Sequence, residues 1–294
     1  MGGRRDYLTA KGRVRLGLLR TANRITVTSK LQHIFAIANQ KGGVGKTTTA
    51  VNLATAVAAL GEDVLVIDFD PQGNASTGLG IDRGNREANS YRLLTADVSE
   101  MPVPTPTAIP RLFVIPSNIA LAGAEPELVS ATRREFKLRR ALATTRVASS
   151  FRYVFIDCPP SLGLLTLNAL TAADAVLVPL QCEFFALEGI SSLVQTIEAV
   201  RTRFNPGLHL QGILLTMFDG RNNMSQQVMR DVRDFFGDWV YNTVIPRNIR
   251  VSEAPSHGKP VLAYDLRSSG AQAYVQLAKE FLTREQRAAT NRRA

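Results

Sequence analysis

The eight residues from Lys41 to Thr48 are the part of this sequence best suited to bind phosphate. They follow a short apolar run and are, in order, Lys41, Gly42, Gly43, Val44, Gly45, Lys46, Thr47 and Thr48. The glycines let backbone N–H groups converge on an anion, because glycine readily adopts positive φ angles. In such loops the lysine after the last glycine pairs with nucleotide phosphates, and the next hydroxyl holds Mg²⁺. We therefore expect Lys46 and Thr47 to fill these two roles.

The loop departs from the common nucleotide-binding pattern in two ways. That pattern has a glycine five positions before the Gly-Lys pair, where this sequence has Gln40. The loop also contains a second lysine, Lys41, where the common pattern needs one. The alternative is a glycine-rich turn with surface lysines, but a turn alone does not require Gly-Lys-Thr in this register.

Acidic residues follow two other apolar runs of strand length. Asp68 and, shortly after it, Asp70 follow the run Val64–Ile67, and Asp157 follows Tyr153–Ile156. Ligands of open parallel sheets bind beyond the C-terminal ends of the strands, so these carboxylates and the glycine-rich loop should share one edge. Either strand end alone is explained by a helix cap or a turn. Both together with a phosphate loop predict a Mg-nucleotide site.

Apolar runs alternate along the chain with segments of helical length. The predicted strands are Ile34–Ala38, Val64–Ile67, Leu112–Ile115, Tyr153–Ile156, Ala175–Pro179, Leu210–Leu215 and Val240–Ile245. Their continuous hydrophobicity indicates burial on both faces, which is typical of parallel sheets. The predicted helices are Thr47–Leu60, Glu125–Thr145, Leu164–Ala172, Glu188–Phe204, Ser225–Phe236 and Ala271–Leu282. The sequence therefore predicts a doubly wound α/β fold with a mainly parallel sheet flanked by helices.

No repeat or linker divides the body of the chain, so we predict one domain over residues 32–283. Residues 1–31 are predicted to be a basic, disordered extension, and residues 284–294 a basic tail. Three interpretations of the first 30 residues stay open: a start codon placed upstream or a dispensable extension, a basic arm that touches DNA, and an Arg-rich transit peptide. Within the domain, the proline-containing segment Asp82–Pro110 is expected to be an irregular surface excursion.

The net charge of +10 is concentrated at the two ends of the chain. Residues 1–30 contain eight Lys or Arg and one Asp, residues 279–294 contain five Lys or Arg and two Glu, and the remainder is neutral. Any binding of nucleic acid by the folded body must therefore depend on a few placed arginines. Two cysteines, Cys158 and Cys182, are too few for a disulfide framework. No apolar run approaches the roughly 18–20 residues of a membrane span.

The loop with its extra lysine resembles the deviant Walker A motif of the family that includes the ParA/Soj partition ATPases, MinD, nitrogenase iron protein and ArsA. Similarity to the ParA/Soj branch extends over most of the body, roughly from Ile34 to Phe281. The matching stretches are Asp68–Gly80, Asp157–Leu162, Pro179–Gly189 and Ile245–Pro260. The resemblance implies a P-loop NTPase fold and a Mg-dependent ATPase that is slow without a partner.

The resemblance also implies roles for residues around the nucleotide. Lys41 would cross a dimer interface to the phosphates held by the other subunit, and Gly42 would lie where the two backbones nearly touch. The loop residues 41–48 would bind ATP together with Pro246 and Asn248, which would contact the adenine.

For the hydrolytic step, the resemblance implies that Asp157 binds Mg²⁺ through water and that Asp68 supports the metal shell. Asp70 would orient the attacking water, because hydrolysis needs a water held in line with the γ-phosphate. Together with Lys41 and Lys46, Asp70 completes the predicted catalytic set.

By the same resemblance, Arg221 and Arg250 would bind DNA in the dimer, with Arg247 and Lys259 as weaker candidates. The family comparison implies an ATP-dependent homodimer that binds double-stranded DNA without sequence preference. A ParB-like centromere-binding protein would stimulate hydrolysis and release. The expected setting is the cytoplasm, in association with the nucleoid.

Other functions were weighed against DNA partition. An ATP-switched DNA-binding regulator of transcription or replication stays open. A MinD-like positioning ATPase needs a C-terminal amphipathic helix, yet no large apolar residue follows Leu282, so we expect no membrane binding. The two cysteines do not match the cluster ligands of the iron protein, and no acceptor-binding motif supports a small-molecule kinase.

Overall fold

The computed structural model describes residues 33–144, 150–183 and 186–293. The predicted extension over residues 1–31 lies outside these residues. The strands are β1 (His33–Ile37), β2 (Val64–Asp68), β3 (Thr105–Pro106), β4 (Leu112–Ile115), β5 (Tyr153–Asp157), β6 (Ala175–Gln181) and β7 (His209–Thr216). The α-helices are α1 (Lys46–Ala59), α2 (Asn74–Gly78), α3 (Ser90–Thr95), α4 (Leu121–Glu127), α5 (Lys137–Thr144), α6 (Leu164–Ala172), α7 (Ala186–Arg203), α8 (Asn223–Phe236), α9 (Ile249–Glu253), α10 (Val261–Tyr264) and α11 (Ser269–Arg293).

The strands form one sheet in the order β3-β4-β2-β5-β1-β6-β7. All neighbouring strands run parallel except β3, which pairs antiparallel with β4 at the edge. Asp157 at the end of β5 lies opposite both Ile37 of β1 and Asp68 of β2. The central strands therefore end at the same level, as the predicted doubly wound fold requires, and that prediction is confirmed.

The sheet is buried on both faces because successive side chains of a strand point to opposite sides. In β2, Leu65 and Ile67 pack in the layer that contains α3 to α8, whereas Val64 and Val66 pack in the layer of α1 and α11. Phe281 of α11 meets the ring of Phe35 edge-on, with centroids 5.0 Å apart. Burying one such ring contributes about 1.5–3 kcal/mol, so this contact holds α11 against the sheet.

Two predicted elements are wrong. The predicted helix Glu125–Thr145 is interrupted after α4, and a short 3-10 turn precedes α5. Arg133, whose φ of 52° is left-handed and cannot continue a right-handed helix, lies within this break. The predicted strand Val240–Ile245 forms only an isolated bridge to β7. Backbone N–H groups in this segment instead donate to the Glu280 carboxylate, at 2.8 Å.

Helix α11 continues to Arg293, well beyond its predicted end at Leu282. Polar contacts hold this added length: the Arg284 guanidinium lies 4.1 Å from the Tyr241 ring centroid, and Glu285 pairs with His33 at 3.2 Å. The excursion 82–110 contains two 3-10 turns, α3 and the edge strand β3. Across the described chain, every helix falls short of the length and hydropathy needed to cross a bilayer.

Candidate functional site

The predicted phosphate loop connects β1 to α1 at the C-terminal edge of the sheet. Gly43 and Gly45 have φ angles of 74° and 88°, in the left-handed region that favours glycine. Helix α1 begins at Lys46, directly after Gly45. The loop therefore presents the N-terminal N–H groups of a helix beside glycine-rich backbone, which is the geometry of an anion site.

Two buried side chains brace the loop, and neither was singled out in the sequence. The Asn39 amide donates to the carbonyl of Pro179 at 2.8 Å and accepts from the N–H of Lys41 at 3.0 Å. The Thr216 hydroxyl, at the end of β7, donates to the carbonyl of Val44 at 2.8 Å. The loop is thus tied to β6 and β7 before any ligand binds. Apart from their positions next to strands, nothing in the sequence points to these residues.

Lys46 points into the loop and is 6% exposed. Its ammonium donates to the carbonyl of Lys41 at 2.8 Å. Burial lowers the pKa of Lys46, and the negative charges of Asp157 and Asp70 oppose that change. A cation held inside the loop by one carbonyl can pair with phosphate oxygens, as the sequence predicts for Lys46.

Lys41 lies on the exposed side of the loop, and its ammonium forms an ion pair with Glu183 of the same chain. About half of the Lys41 side chain is accessible to solvent. Its neighbour Gly42 is also exposed, and a Cβ built there would meet only the Cβ of Pro160, at 4.0 Å. Contacts within this chain therefore do not require glycine at position 42.

Asp157 is fully buried, and no described residue donates a hydrogen bond to either of its carboxylate oxygens. Burial raises the pKa of Asp157 well above its usual value, and the neighbouring Asp68 raises it further. Thr47 and Lys46 act in the opposite direction. Buried polar groups are normally satisfied, so this carboxylate is suited to a cation that supplies the missing contacts.

The described residues contain no group of three or more His, Cys, Asp or Glu that could hold a metal by themselves. Mg²⁺ does not need such a cluster, because it keeps several waters and binds through one or two carboxylates plus phosphate oxygens. Thr47 and Asp157 supply a hydroxyl and a carboxylate, the oxygen ligands that Mg²⁺ prefers.

Asp68 is also fully buried, but its side chain is already engaged. One carboxylate oxygen accepts from the backbone N–H of Ser76 at 2.7 Å and from its hydroxyl at 2.6 Å. Burial outweighs these hydrogen bonds and raises the pKa of Asp68 to about 6. Asp68 thus anchors the start of α2 to the end of β2, and its supporting role toward the metal stays a prediction.

Asp70 lies in the turn that leads from β2 to α2 and is 8% exposed. One of its carboxylate oxygens accepts from the N–H of Gln72 at 3.0 Å, and its carbonyl accepts from the N–H of Gly73 at 2.9 Å. Its charge acts on both Lys46 and Asp157. The structure therefore brings Asp70 into the same site as the phosphate loop.

The segment after β7 lies beside the phosphate loop. Met217 has a left-handed φ of 51°, and its terminal carbon would lie 3.9 Å from a Cβ at Gly45. Phe218 donates to the carbonyl of Ile245 at 3.0 Å and forms an isolated bridge with Pro246. These contacts bring Pro246 next to the loop, although the two are distant in sequence.

Asn248, the other residue predicted to contact adenine, caps helix α9. Its side-chain oxygen Oδ1 accepts from the backbone N–H of Arg250 at 2.9 Å, and its side-chain nitrogen Nδ2 donates to the hydroxyl of Ser269 at 2.8 Å. The side chain thus has a structural role here, and its contact with a base stays a prediction.

The predicted DNA-binding arginines differ in their surroundings. Arg221 is exposed in the turn between β7 and α8. Arg250 is half exposed and pairs with Glu253 at 2.9 Å and with Asp265 at 3.6 Å. Arg221 and Arg250 follow shortly after Phe218 and Pro246, the two ends of the bridge described above, so both belong to the same side of the molecule. The weaker candidates, Arg247 and Lys259, are exposed.

Comparison with known proteins identifies the family. A family model described as an AAA domain matches residues 32–210. The chain is 59% identical over 252 residues to the chromosome partitioning protein ParA of Caulobacter vibrioides, covering 86% of this chain and 94% of that protein. It is 53% identical over 247 residues to the sporulation initiation inhibitor protein Soj of Bacillus subtilis, covering 84% and 97%.

A solved structure of cobyrinic acid a,c-diamide synthase from Mycobacterium smegmatis contains an ATP analog and magnesium. It matches with a TM-score of 0.74 and 38% identity, covering 87% of this chain and 96% of that one. Its ligands are those predicted here from sequence. The predicted fold and enzyme class are confirmed, and the chain belongs to the ParA/Soj family of P-loop ATPases.

Proposed function

We propose that this protein hydrolyses ATP with Mg²⁺ to drive the partition of chromosomal or plasmid DNA. The names of its relatives support the process, and the site supports the chemistry. The observation that carries the proposal is the buried Asp157 carboxylate, which has no hydrogen-bond donor among the described residues. A hydrated Mg²⁺ between Asp157 and Thr47 would satisfy this group.

In this proposal the loop residues 41–48 bind the triphosphate through backbone N–H groups. Lys46 transfers its contact from the carbonyl of Lys41 to the β- and γ-phosphates. Asp70 holds a water in line with the γ-phosphate, while Mg²⁺ and lysine absorb the charge that develops on its oxygens. The products are ADP and inorganic phosphate.

A second copy of the chain completes the site in this proposal. Gly42 has room around it in its own subunit, so the close approach of another backbone is a better reason for glycine there. Lys41 would leave Glu183 and pair with the phosphates bound by the partner subunit. Because each subunit supplies a cation to the other, ATP would hold the dimer together.

The dimer would bind double-stranded DNA through Arg221 and Arg250, with help from Arg247 and Lys259. All four are exposed, and the body of the chain is neutral, which favours modest binding to phosphates without reading of bases. Each phosphate contact adds about −0.9 to the slope of log affinity against log salt concentration. Dimerisation doubles the contacts and gives avidity.

A ParB-like centromere-binding protein would stimulate hydrolysis and release the dimer from DNA. The protein would act in the cytoplasm, on the nucleoid. ATP turnover is to be measured with and without double-stranded DNA and the ParB-like protein from the same organism. We expect the largest rate when both are present. Arg221→Glu should lose the increase in ATPase rate that depends on DNA, whereas Lys46→Ala should lose all ATP turnover.

Turnover that ignores the ParB-like protein while DNA binding still follows the nucleotide state would favour the regulatory switch instead. No ATP hydrolysis under any of these conditions would overturn the proposal as a whole.

A further inference from the structure

Arg86 is a buried arginine that belongs neither to the phosphate loop nor to the strand-end carboxylates described above. It is 4% exposed and follows the 3-10 turn Arg83–Asn85. Its guanidinium spans several backbone segments. It donates to the carbonyls of Gly73 at 3.0 Å, Ile81 at 2.6 and 3.1 Å and Ser117 at 3.3 Å, and to the hydroxyl of Thr77 at 2.8 Å.

Neutral oxygens, and no carboxylate, contact this guanidinium among the described residues. A buried charge is costly unless its hydrogen-bonding groups are satisfied, and here carbonyls and one hydroxyl satisfy them. Burial lowers the pKa of Arg86, and the negative charge of Asp68 opposes that change. Arg86 therefore links backbone segments through neutral oxygens, and the charge of Asp68 favours its protonated form.

One of the oxygens that Arg86 holds, the carbonyl of Gly73, belongs to the segment that carries Asp70. The N–H of Gly73 donates to the carbonyl of Asp70 at 2.9 Å, and the carbonyl of Gly73 accepts from Arg86. Gly73 has a φ of 65°, and a Cβ there would lie 2.7 Å from the carbonyl oxygen of Ser117. The backbone after Asp70 is thus packed tightly against the guanidinium and cannot shift toward it.

A second connection runs from Arg86 to Asp68. Ser117, whose carbonyl accepts from Arg86, donates its N–H to the Ser76 hydroxyl at 2.9 Å. That hydroxyl donates in turn to the Asp68 carboxylate at 2.6 Å. Arg86 is therefore connected to the carboxylate of Asp68 and to the backbone carbonyl of Asp70, both within the segment 68–76.

Arg86 also connects the start of the excursion to the turn after β4. Its own carbonyl accepts from the amide of Asn89 at 2.7 Å and from the amide of Asn118 at 3.1 Å. The excursion, which the sequence predicts to be an irregular surface segment, is consequently attached through Arg86 to the segment that carries Asp70.

We infer that Arg86 is a positioning residue of the ATPase reaction, which fixes the backbone of residues 68–76 so that Asp70 can orient the attacking water. This inference rests on the role proposed above for Asp70. A misplacement of about 1 Å in a positioned group can cost roughly 100-fold in rate. The phosphate loop is held by different residues, so nucleotide binding does not depend on Arg86.

The test compares Arg86→Gln and Arg86→Lys with Arg83→Gln, which removes an exposed arginine from the adjacent turn. We expect Arg86→Gln to lower kcat roughly 10- to 100-fold, with KM and the affinity for a fluorescent ATP analogue unchanged. Arg86→Lys should recover part of the rate, because it keeps the charge and three donors. Arg83→Gln should behave as wild type. If Arg86→Gln does not fold, Arg86→Lys carries the same comparison.

A double substitution separates positioning from a general loss of structure. In an Asp70→Ala background, Arg86→Gln should lower the residual rate no further, because both changes remove the same function. An equal further loss in that background, a loss of nucleotide affinity parallel to the loss of rate, or an unchanged kcat would each overturn the inference. Normal turnover by Asp70→Ala alone would instead overturn the proposed role of Asp70.

Discussion

The nucleotide edge and the surface that carries Arg221 and Arg250 differ in how their charges are held. At the nucleotide edge, Lys46 and Asp157 are buried, and burial lowers the pKa of Lys46 and raises the pKa of Asp157. On the other surface, Arg221 is exposed and Arg250 is paired with two carboxylates in water. The first region is organised before ligand binds. The second carries charges that are screened by solvent, so its binding strength depends on how many of them contact the ligand.

This difference predicts unequal consequences of substitution. Removing one partner from a buried, hydrogen-bonded charge network is strongly destabilising, because it leaves the other charge buried and uncompensated. Exposed ion pairs contribute about 0–1 kcal/mol. Substitutions at the nucleotide edge should therefore abolish a step, and substitutions on the arginine surface should weaken one by an amount that depends on salt.

The largest effect is expected for Lys46→Ala. Hydrogen bonds to charged groups contribute about 1.5–3 kcal/mol each, so loss of the ammonium should weaken ATP binding about 100-fold or more. Titration of a fluorescent ATP analogue measures it. Lys41→Ala is the matched control, because it removes an exposed lysine from the same loop and should leave affinity in the monomer near wild type. Equal affinities for Lys46→Ala and wild type would contradict the loop assignment.

Asp157→Asn should separate magnesium dependence from folding. The change removes a buried carboxylate without a partner, so the nucleotide-free protein should be as stable as wild type or more stable, while Mg-dependent hydrolysis is lost. Since burial raises the pKa of Asp157 above its unfolded value, ionisation of this group destabilises the native state. Wild type should thus lose stability as pH rises through that raised pKa, and the variant should lose less. Thermal unfolding over a pH series measures both, and a less stable variant at pH 7 would contradict this account.

Gly42→Val should leave nucleotide binding intact and block the dimer. Within one subunit there is space for the side chain, so ATP affinity and thermal stability should stay near wild type. Light scattering with a nonhydrolysable ATP analogue should give the mass of a monomer, in contrast to wild type. A stable dimer of this variant would remove the close backbone contact proposed for Gly42.

The sequence was most informative where function depends on local backbone. Gly43 and Gly45 adopt the positive φ angles that their residue type suggests, and Asp68 and Asp157 end adjacent strands as their positions predict. The sequence did not predict the buried residues that hold the site in place through hydrogen bonds. Arg86, for example, donates to carbonyl oxygens of distant segments. Because every residue has a backbone carbonyl, the sequence does not indicate which of them accept.

Errors in the predicted elements have a similar cause. The break before α5 occurs at Arg133, a non-glycine residue with positive φ, which residue type does not signal. The chain near Val240 is extended, and the N–H groups of Tyr241 and Ile245 donate to carbonyls of β7, but those of Asn242 and Thr243 between them donate to Glu280 of α11. Both outcomes depend on contacts that exist only after the chain has folded.

Arg221→Glu should weaken DNA binding while ATP-dependent dimerisation persists. The change replaces a phosphate-binding charge with a repulsive one in each subunit, so retardation of double-stranded DNA should be lost at physiological salt and partly recovered at low salt. Arg230→Glu is a matched control, because Arg230 is an exposed arginine of the following helix. Unchanged DNA retardation by Arg221→Glu would discard this surface.

The smallest expected effect is a gain. Glu253→Gln removes the closer of the two carboxylates that pair with Arg250, so the guanidinium becomes more available to a DNA phosphate. Exposed pairs of this kind are weak because water and salt screen them, so the variant dimer should bind DNA only about two- to five-fold more tightly, with a steeper dependence on salt. Asp265, at 3.6 Å, still restrains the arginine, which limits the gain. DNA binding could instead be unchanged by Glu253→Gln but lost on Arg250→Ala. That result would show that Arg250 reaches DNA without leaving Glu253. The ion pair would then make no difference between Arg250 and the exposed Arg221 in DNA binding.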